Sequence, residues 1–344
     1  MNYFDGSSFG VVESIDKKDY VHSNFMKNKD SLAIIDTYIL YTGWWNKTKQ
    51  VFDSCVDVAR PKGKLRIEYL SRSNASFETY HYIFLSSPTV LENFGIWAMY
   101  QAIQNAELKF IEQCKTPRNE ISLTGKLTSN IDHCASKIQS DYEKHLYMDN
   151  ISIIMNEIEL QVQNREKITG ADFALLLEWY DRANYLKVCP IYFQAKRVIN
   201  EMADISQFNK EVGYQFTLLK SREINSAYIF YNCNTQKITP NPRLPSVKDV
   251  RDVSSNEFPD KTSAVENVLS LSTFLLDVMV NSNRYTVFNN RKDALRAILV
   301  NIKEDELSRV FTLSVDEGAK ERYREEYILY MNYKKNKSID IYGA

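Results

Sequence analysis

Five side chains near the middle of the chain have the types and spacing to do chemistry together: Glu120, Glu166, Asp172, Gln194 and Lys196. Asp172 follows Gly170-Ala171, where a turn enters an apolar run, and Gln194 and Lys196 bracket Ala195. Residues two apart on a strand share a face, so Gln194 and Lys196 project together while Ile191 and Phe193 point to the opposite side, into a core. Carboxylate and amide oxygens are hard donors that suit a magnesium ion, which keeps several of its own waters. Such an ion polarises a phosphate and lowers the pKa of a bound water. A lysine beside it orients that water or stabilises developing charge. The set therefore fits metal-assisted hydrolysis of a phosphodiester, on the condition that the strand of Asp172 pairs with the strand of Gln194. Glu166, just ahead of the turn, and Glu120, at the start of the preceding helix, are the two candidates to complete the site.

Each of these residues also has an ordinary structural role. Aspartate beside glycine favours turns. A glutamate in the first turn of a helix suits the helix dipole. Glu166 is equally suited to buttressing the turn, and Arg197 to a salt bridge or a phosphate. Lys196 alone reads as a surface lysine. The functional reading comes from the combination of Asp172 at a strand entry and Gln194-Ala195-Lys196 at the end of the next strand.

The elements that must position these residues follow from periodicity. Helical spacing covers 31–58, 89–114 and 119–146. Apolar runs at 65–70 and 80–85 read as strands. So do 151–162 and 171–179, with the turn at 164–170 suggesting a hairpin between them. A third core strand covers 188–195, a helix 208–224, and a further strand 226–231. Residues 232–261, with Pro240, Pro242, Pro245 and Pro259, read as loop. Helices are expected at 263–280 and 293–300, and a strand at 284–288. The tyrosine-rich stretch from Tyr323 to Tyr333 reads as a solvated amphipathic helix in preference to a nucleic-acid path. Between 119 and 231 the order is helix, strand, strand, strand, helix, strand.

Glu166-x-x-Thr169-Gly170-Ala171-Asp172-Phe173, Tyr192-Phe193-Gln194-Ala195-Lys196-Arg197, Gln215-x-x-Leu218-Leu219 and Ala227-Tyr228-Ile229-Phe230-Tyr231-Asn232 together resemble the PD-(D/E)XK, or restriction-endonuclease-like, nucleases. The resemblance is to the Asp…Gln-x-Lys variant found in bacterial anti-phage defence, and it covers about residues 119–234. It implies an α/β fold with a central mixed sheet flanked by helices. It implies Asp172, Gln194 and Glu120 as ligands of Mg2+ or Mn2+, Lys196 as the catalytic lysine, and Glu166 as a further candidate. The implied activity is endonucleolytic cleavage of double-stranded DNA, held in check until a partner protein of a defence system or another trigger acts, with a homo-oligomer as one arrangement. Two other readings of the same residues are a nuclease fold that only binds or assembles, and a ribonuclease using the same site.

Composition sets bounds on these readings. The 344 residues carry a net charge of −1, so nucleic acid would be gripped by a local strip and not by the whole surface. Five scattered cysteines without a CxxC pair argue against a disulfide framework and a structural zinc site. The four histidines form no HExxH pattern, and no GxxxxGK[ST] loop is present. Without a signal peptide or a membrane-length apolar run, the expectation is a cytoplasmic protein with no membrane contact. Three parts are expected: an N-terminal module at 1–115, the nuclease core at 116–235 and a C-terminal extension at 236–344.

Overall fold

The apolar runs of the core assemble into one mixed sheet of seven strands. The computed structural model describes residues 37–59, 61–77, 79–81, 91, 94–116, 118–146, 153–158, 171–198, 200–210, 213–233, 244–253, 260–300, 309–316 and 318–342. Its helices are α1 (Thr42–Ser54), α2 (Pro61–Arg72), α3 (Phe94–Cys114), α4 (Glu120–Leu146), α5 (Gln215–Lys220), α6 (Leu271–Val280), α7 (Arg291–Val300) and α8 (Ala319–Tyr342). Its strands are β1 (Ile154–Ile158), β2 (Phe173–Tyr180), β3 (Leu186–Val198), β4 (Met202–Asp204), β5 (Phe208–Asn209), β6 (Gly213–Tyr214), β7 (Asn225–Asn232), β8 (Ser246–Asp249), β9 (Lys261–Ser263), β10 (Leu269–Ser270) and β11 (Val310–Ser314). The large sheet runs β1-β11-β2-β3-β7-β8-β10, and β4-β9 and β5-β6 form two small ribbons. The protein is therefore α/β, with helices on both faces of a mixed sheet.

The face occupied by odd-numbered residues of β3 packs on α3, α4 and α6. Phe110 meets Tyr231 at 5.3 Å and Phe193 meets Phe274 at 6.1 Å. On the opposite face the Tyr192 hydroxyl donates to Ile298 O of α7 (2.8 Å), and the Tyr323 hydroxyl of α8 donates to Glu178 (3.0 Å). Buried on both sides, β3 is almost continuously apolar, as a central strand must be. Pro190 within it removes no ladder bond. Val188 N points away from β2 toward Phe288 O, so Pro190, two residues on, lacks its donor on that same side. There β7 has not yet begun, and the Asn225 side chain donates to Pro190 O instead (3.0 Å).

Several expectations are overturned. No β1–β2 hairpin forms, because β11 lies between them, antiparallel to β1 and parallel to β2. Local turn chemistry gives way to a buried run, Val310, Phe311 and Leu313, supplied from far along the chain. Residues 65–70 are helical: Ile67 and Leu70 are buried while Leu65 and Tyr69 are exposed, a helical period, with Pro61 in the favoured first position. The 80–85 strand lies mostly outside the described residues, and Tyr80 and His81 are helical. Residues 208–224 hold the β5–β6 ribbon and only a short helix, because Gly213 turns the chain at φ +88°. The 232–261 loop contains β8, a full member of the sheet. The 263–280 helix begins only at Leu271, where the Ser270 hydroxyl caps Thr273 N (3.3 Å). Residues 284–288 contribute a single bridge, Val188 to Phe288. In α8, Tyr323, Tyr327 and Tyr330 are buried against the core while Tyr333 is exposed, so the tyrosine stripe is packing surface. Trp44 and Trp97 are buried as well. No helix among the described residues is long and apolar enough to cross a membrane.

One core carboxyl yields a pH prediction. Glu107 on α3 is fully buried and accepts bonds from Ser272 N (3.2 Å) and Ser272 Oγ (2.5 Å) at the start of α6. Burial pushes its pKa up to about 8, against 4.5 ordinarily. The folded state thus holds a proton that the unfolded chain releases. That contribution is complete below about pH 4.5 and is lost as pH rises toward about 8. Stability is expected to fall by a few kcal/mol across this window, at about 1.4 kcal/mol per unit. Glu107→Gln should flatten that slope in denaturant melts taken at successive pH values, whereas an unchanged slope would contradict the assignment.

Candidate active site

The condition set by the sequence is met: β2 and β3 pair antiparallel, with Phe173 opposite Phe193. Asp172 sits one residue before β2, where its N–H donates to Phe193 O (2.9 Å). This places its side chain on the same face as Gln194 and Lys196. Phe193, on the other face, stacks on Phe173 at 5.2 Å and fixes the register.

The Asp172 carboxylate is held by two donors on one oxygen. Gln194 Nε2 and Ala195 N both reach Oδ2, each at 2.8 Å. Asp172 is exposed as a residue, yet desolvation by the protein atoms around its carboxyl raises its pKa. The Ala195 N–H, the charge of Lys196 and the Gln194 amide pull it back in part. Lys196 is half-buried, and desolvation lowers its pKa against the attraction of Asp172, Glu120 and Asp204. Burial thus raises the acid and lowers the base.

Glu120 arrives from the other face of the sheet. It is the first residue of α4, whose N-terminus is capped by Asn119 Oδ1 accepting from Ser122 N (2.8 Å). One turn on, Thr124 and Tyr231 share a buried hydroxyl–hydroxyl bond (2.7 Å) that fastens α4 to β7. Glu120 Oε1 accepts from Arg197 N (3.1 Å) and lies 3.9 Å from Arg197 Nε. Arg197 also donates to Arg118 O (3.3 Å). Glu120 therefore borders the site at the end of β3, close enough to act electrostatically on both Asp172 and Lys196. Glu166 and Gly170 lie outside the described residues.

Two glutamines complete the arrangement. Gln215, the first residue of α5, donates through Nε2 to Gln194 Oε1 (2.8 Å). Gln207 Oε1 accepts from Lys196 Nζ (3.1 Å). Gln207 was not legible from sequence: it lies just ahead of the stretch, 208–224, that reads as helix. The only sequence trace of Gln215 is its place in the Gln-x-x-Leu-Leu segment.

Could these residues hold a divalent cation? The donor chemistry fits: carboxylate and amide oxygens at a strand end. A buried atom also fits. Gln215 Oε1 is buried and has no hydrogen-bond partner among the described residues. If both amides turned over, Gln194 Nε2 would donate to Gln215 Oε1 and Gln194 Oε1 would come beside Asp172, at the cost of the bonds that Gln194 Nε2 now makes to Asp172 and Ala195 O. Two oxygens side by side repel each other unless a cation lies against both, so that turned arrangement is one that only a cation would favour. Among the described residues no three His, Cys, Asp or Glu side chains cluster as a metal group. Any donor set here would be a mixed one that includes the Gln194 amide.

No protein-family model, no curated protein and no solved structure matches the chain.

Proposed function

We propose that the protein is a metal-dependent nuclease that hydrolyses DNA phosphodiester bonds at Asp172, Gln194 and Lys196. One observation carries the reading: these three residues, separated by up to two dozen positions, lie on one face at the β2–β3 end with Asp172 bonded to both Gln194 and Ala195. The resemblance of the same segments to Asp…Gln-x-Lys nucleases supports a restriction-endonuclease-like core and, with it, a role in anti-phage defence. Asp172 and Gln194 would hold Mg2+ or Mn2+, with Glu120 bordering them. When bound, the cation polarises the phosphate and acidifies a water.

The chain's own residues do the rest. The Ala195 N–H holds the Asp172 carboxylate before substrate arrives, and the Gln194 amide would turn its oxygen to the cation. Gln215 orients the Gln194 amide. Gln207 holds the Lys196 ammonium over the site, where its positive charge faces the attacking oxygen and the phosphate. The lowered pKa of Lys196 makes a proton at its Nζ easier to release than from an exposed lysine.

A second reading draws on the Gln194 amide, which here turns its nitrogen to Asp172. A fold locked in that state would bind nucleic acid or a partner without cutting. Incubation of the purified chain with plasmid DNA and with RNA in Mg2+, Mn2+ or EDTA separates the readings. Metal-dependent nicking or linearisation of the plasmid is expected. Intact DNA in both metals contradicts the proposal, and cleavage of RNA alone makes the site a ribonuclease.

A further inference from the structure

Two of the five thiols meet each other where α3 packs on β7. Phe110 of α3 lies against Tyr231 of β7 at 5.3 Å. Cys114, the last residue of α3, is one turn beyond Phe110 on the same face of the helix. Cys233 is two residues beyond Tyr231, where a tight turn at Asn232 sets Cys233 N against Tyr231 O (2.9 Å). The helix face thus meets the end of β7 twice, first through the rings and then through the sulfurs, and the Cys114 and Cys233 thiols share a hydrogen bond. Both cysteines are free and buried, Cys114 completely, whereas Cys233 keeps 8% exposure.

Their surroundings make the two sulfurs unequal. The thiol of Cys114 donates to Cys233 and lowers the Cys233 pKa, and the charge of Arg197 lowers it further against burial and Glu120. The same bond, with burial, raises the Cys114 pKa. Cys233 is therefore the sulfur that reaches the reactive thiolate form, and its residual exposure admits an oxidant as small as a peroxide. Burial raises the pKa of Cys55, Cys134 and Cys189, which holds these three as thiols. Sulfurs in hydrogen-bond contact need to close by about 1–2 Å to reach the disulfide length of about 2 Å.

We propose that Cys114 and Cys233 are a reversible dithiol, oxidised by a peroxide to a disulfide that staples the end of α3 to β7. The Cys233 thiolate attacks one peroxide oxygen and the O–O bond breaks. Cys233 becomes a sulfenic acid, and the other oxygen leaves as water with the proton that the thiol gave up. The Cys114 thiol then attacks the Cys233 sulfur, the S–O bond breaks and a second water leaves. Two thiols lose two electrons and two protons, and one peroxide becomes two waters. The bond would join positions well over a hundred residues apart, and a crosslink across so long a loop constrains the unfolded chain strongly. Six residues after Cys114 the chain reaches Glu120, so the staple lies at the rim of the proposed site.

The test treats the folded full chain with hydrogen peroxide, alkylates the remaining thiols and maps the peptides by mass spectrometry. One disulfide, Cys114 to Cys233, is expected, with Cys55, Cys134 and Cys189 alkylated and the bond reversed by dithiothreitol. The oxidised chain should melt at least about 4 °C above the reduced one. Cys114→Ser should stop at a Cys233 sulfenic acid, captured by dimedone, and should show no such rise. Five intact thiols after a treatment that fully oxidises free cysteine, a bond between any other pair, or equal melting of the oxidised and reduced chains overturns the proposal. The readouts are thiol chemistry and melting, so they stand apart from cleavage.

Discussion

Lys196→Ala is expected to keep the fold and to lose DNA cleavage by about 10²–10⁴-fold, the range for removing a proton-transfer group or a charge stabiliser. The structural cost is small. Lys196 is half-buried and makes a 3.1 Å bond to Gln207, whose replacement by water is worth about 1 kcal/mol. The chemical cost is large, for two reasons. The positive charge that would face the phosphate disappears. The Asp172 carboxyl, already raised by desolvation, also loses a charge that pulls it down, so it ionises less readily. Any residual activity should therefore need a higher pH than in wild type. Lys196→Arg should not restore the rate, because a guanidinium cannot give up its proton and has a different shape. Single-turnover cleavage, paired with a thermal melt, checks this. A folded alanine variant that cuts like wild type would remove Lys196 from the mechanism.

Arg291→Ala is expected to cost about 3–5 kcal/mol of folding stability, a large share of the total for a domain. Glu178 on β2 has no exposed side-chain surface. Its carboxylate accepts from Arg291 Nε (2.7 Å) and a terminal Arg291 nitrogen (2.6 Å), from Ser314 Oγ (2.6 Å) and from the Tyr323 hydroxyl (3.0 Å). The same Arg291 nitrogen reaches Asp316 (2.6 Å), which also pairs with Arg322. The cluster joins β2, β11, α7 and α8 at one point. Without Arg291 a buried carboxylate is left with only neutral donors, and it must either stay charged in the core or take up a proton. The double variant Glu178→Leu/Arg291→Met should recover much of the loss, since no charge is then stranded. Denaturant midpoints measure both. A loss within about 0.5 kcal/mol, typical of surface changes, would contradict the account.

The site was more legible in the sequence than the sheet that carries it. Asp172, Gln194 and Lys196 could be placed on one face because alternation along a strand is a local rule, and the β2–β3 pairing it needed joins neighbours in the chain. The position of Glu120 was partly legible: its place at the start of α4 is local, but its engagement with Arg197 depends on how α4 docks on β7 through Thr124 and Tyr231. What failed was non-local. Strand β11 enters between β1 and β2 from some 130 residues beyond β2, and no turn signal announces a parallel partner at that separation. Gln207 was hidden for a related reason. A helical reading of 208–224 has no place for a ribbon, and only the backbone at Gly213 shows where the chain reverses.

On the proposed function, Asp172 and Gln194 form a divalent-cation site that Gln215 orients. Its most direct measurement is a Mn2+ titration of the purified chain followed by electron paramagnetic resonance. Wild type should take up one tightly held ion, Asp172→Ala should lose it, and Gln215→Leu should weaken it while melting like wild type. Uptake that is absent in wild type, or that survives unchanged in Asp172→Ala, would contradict the account.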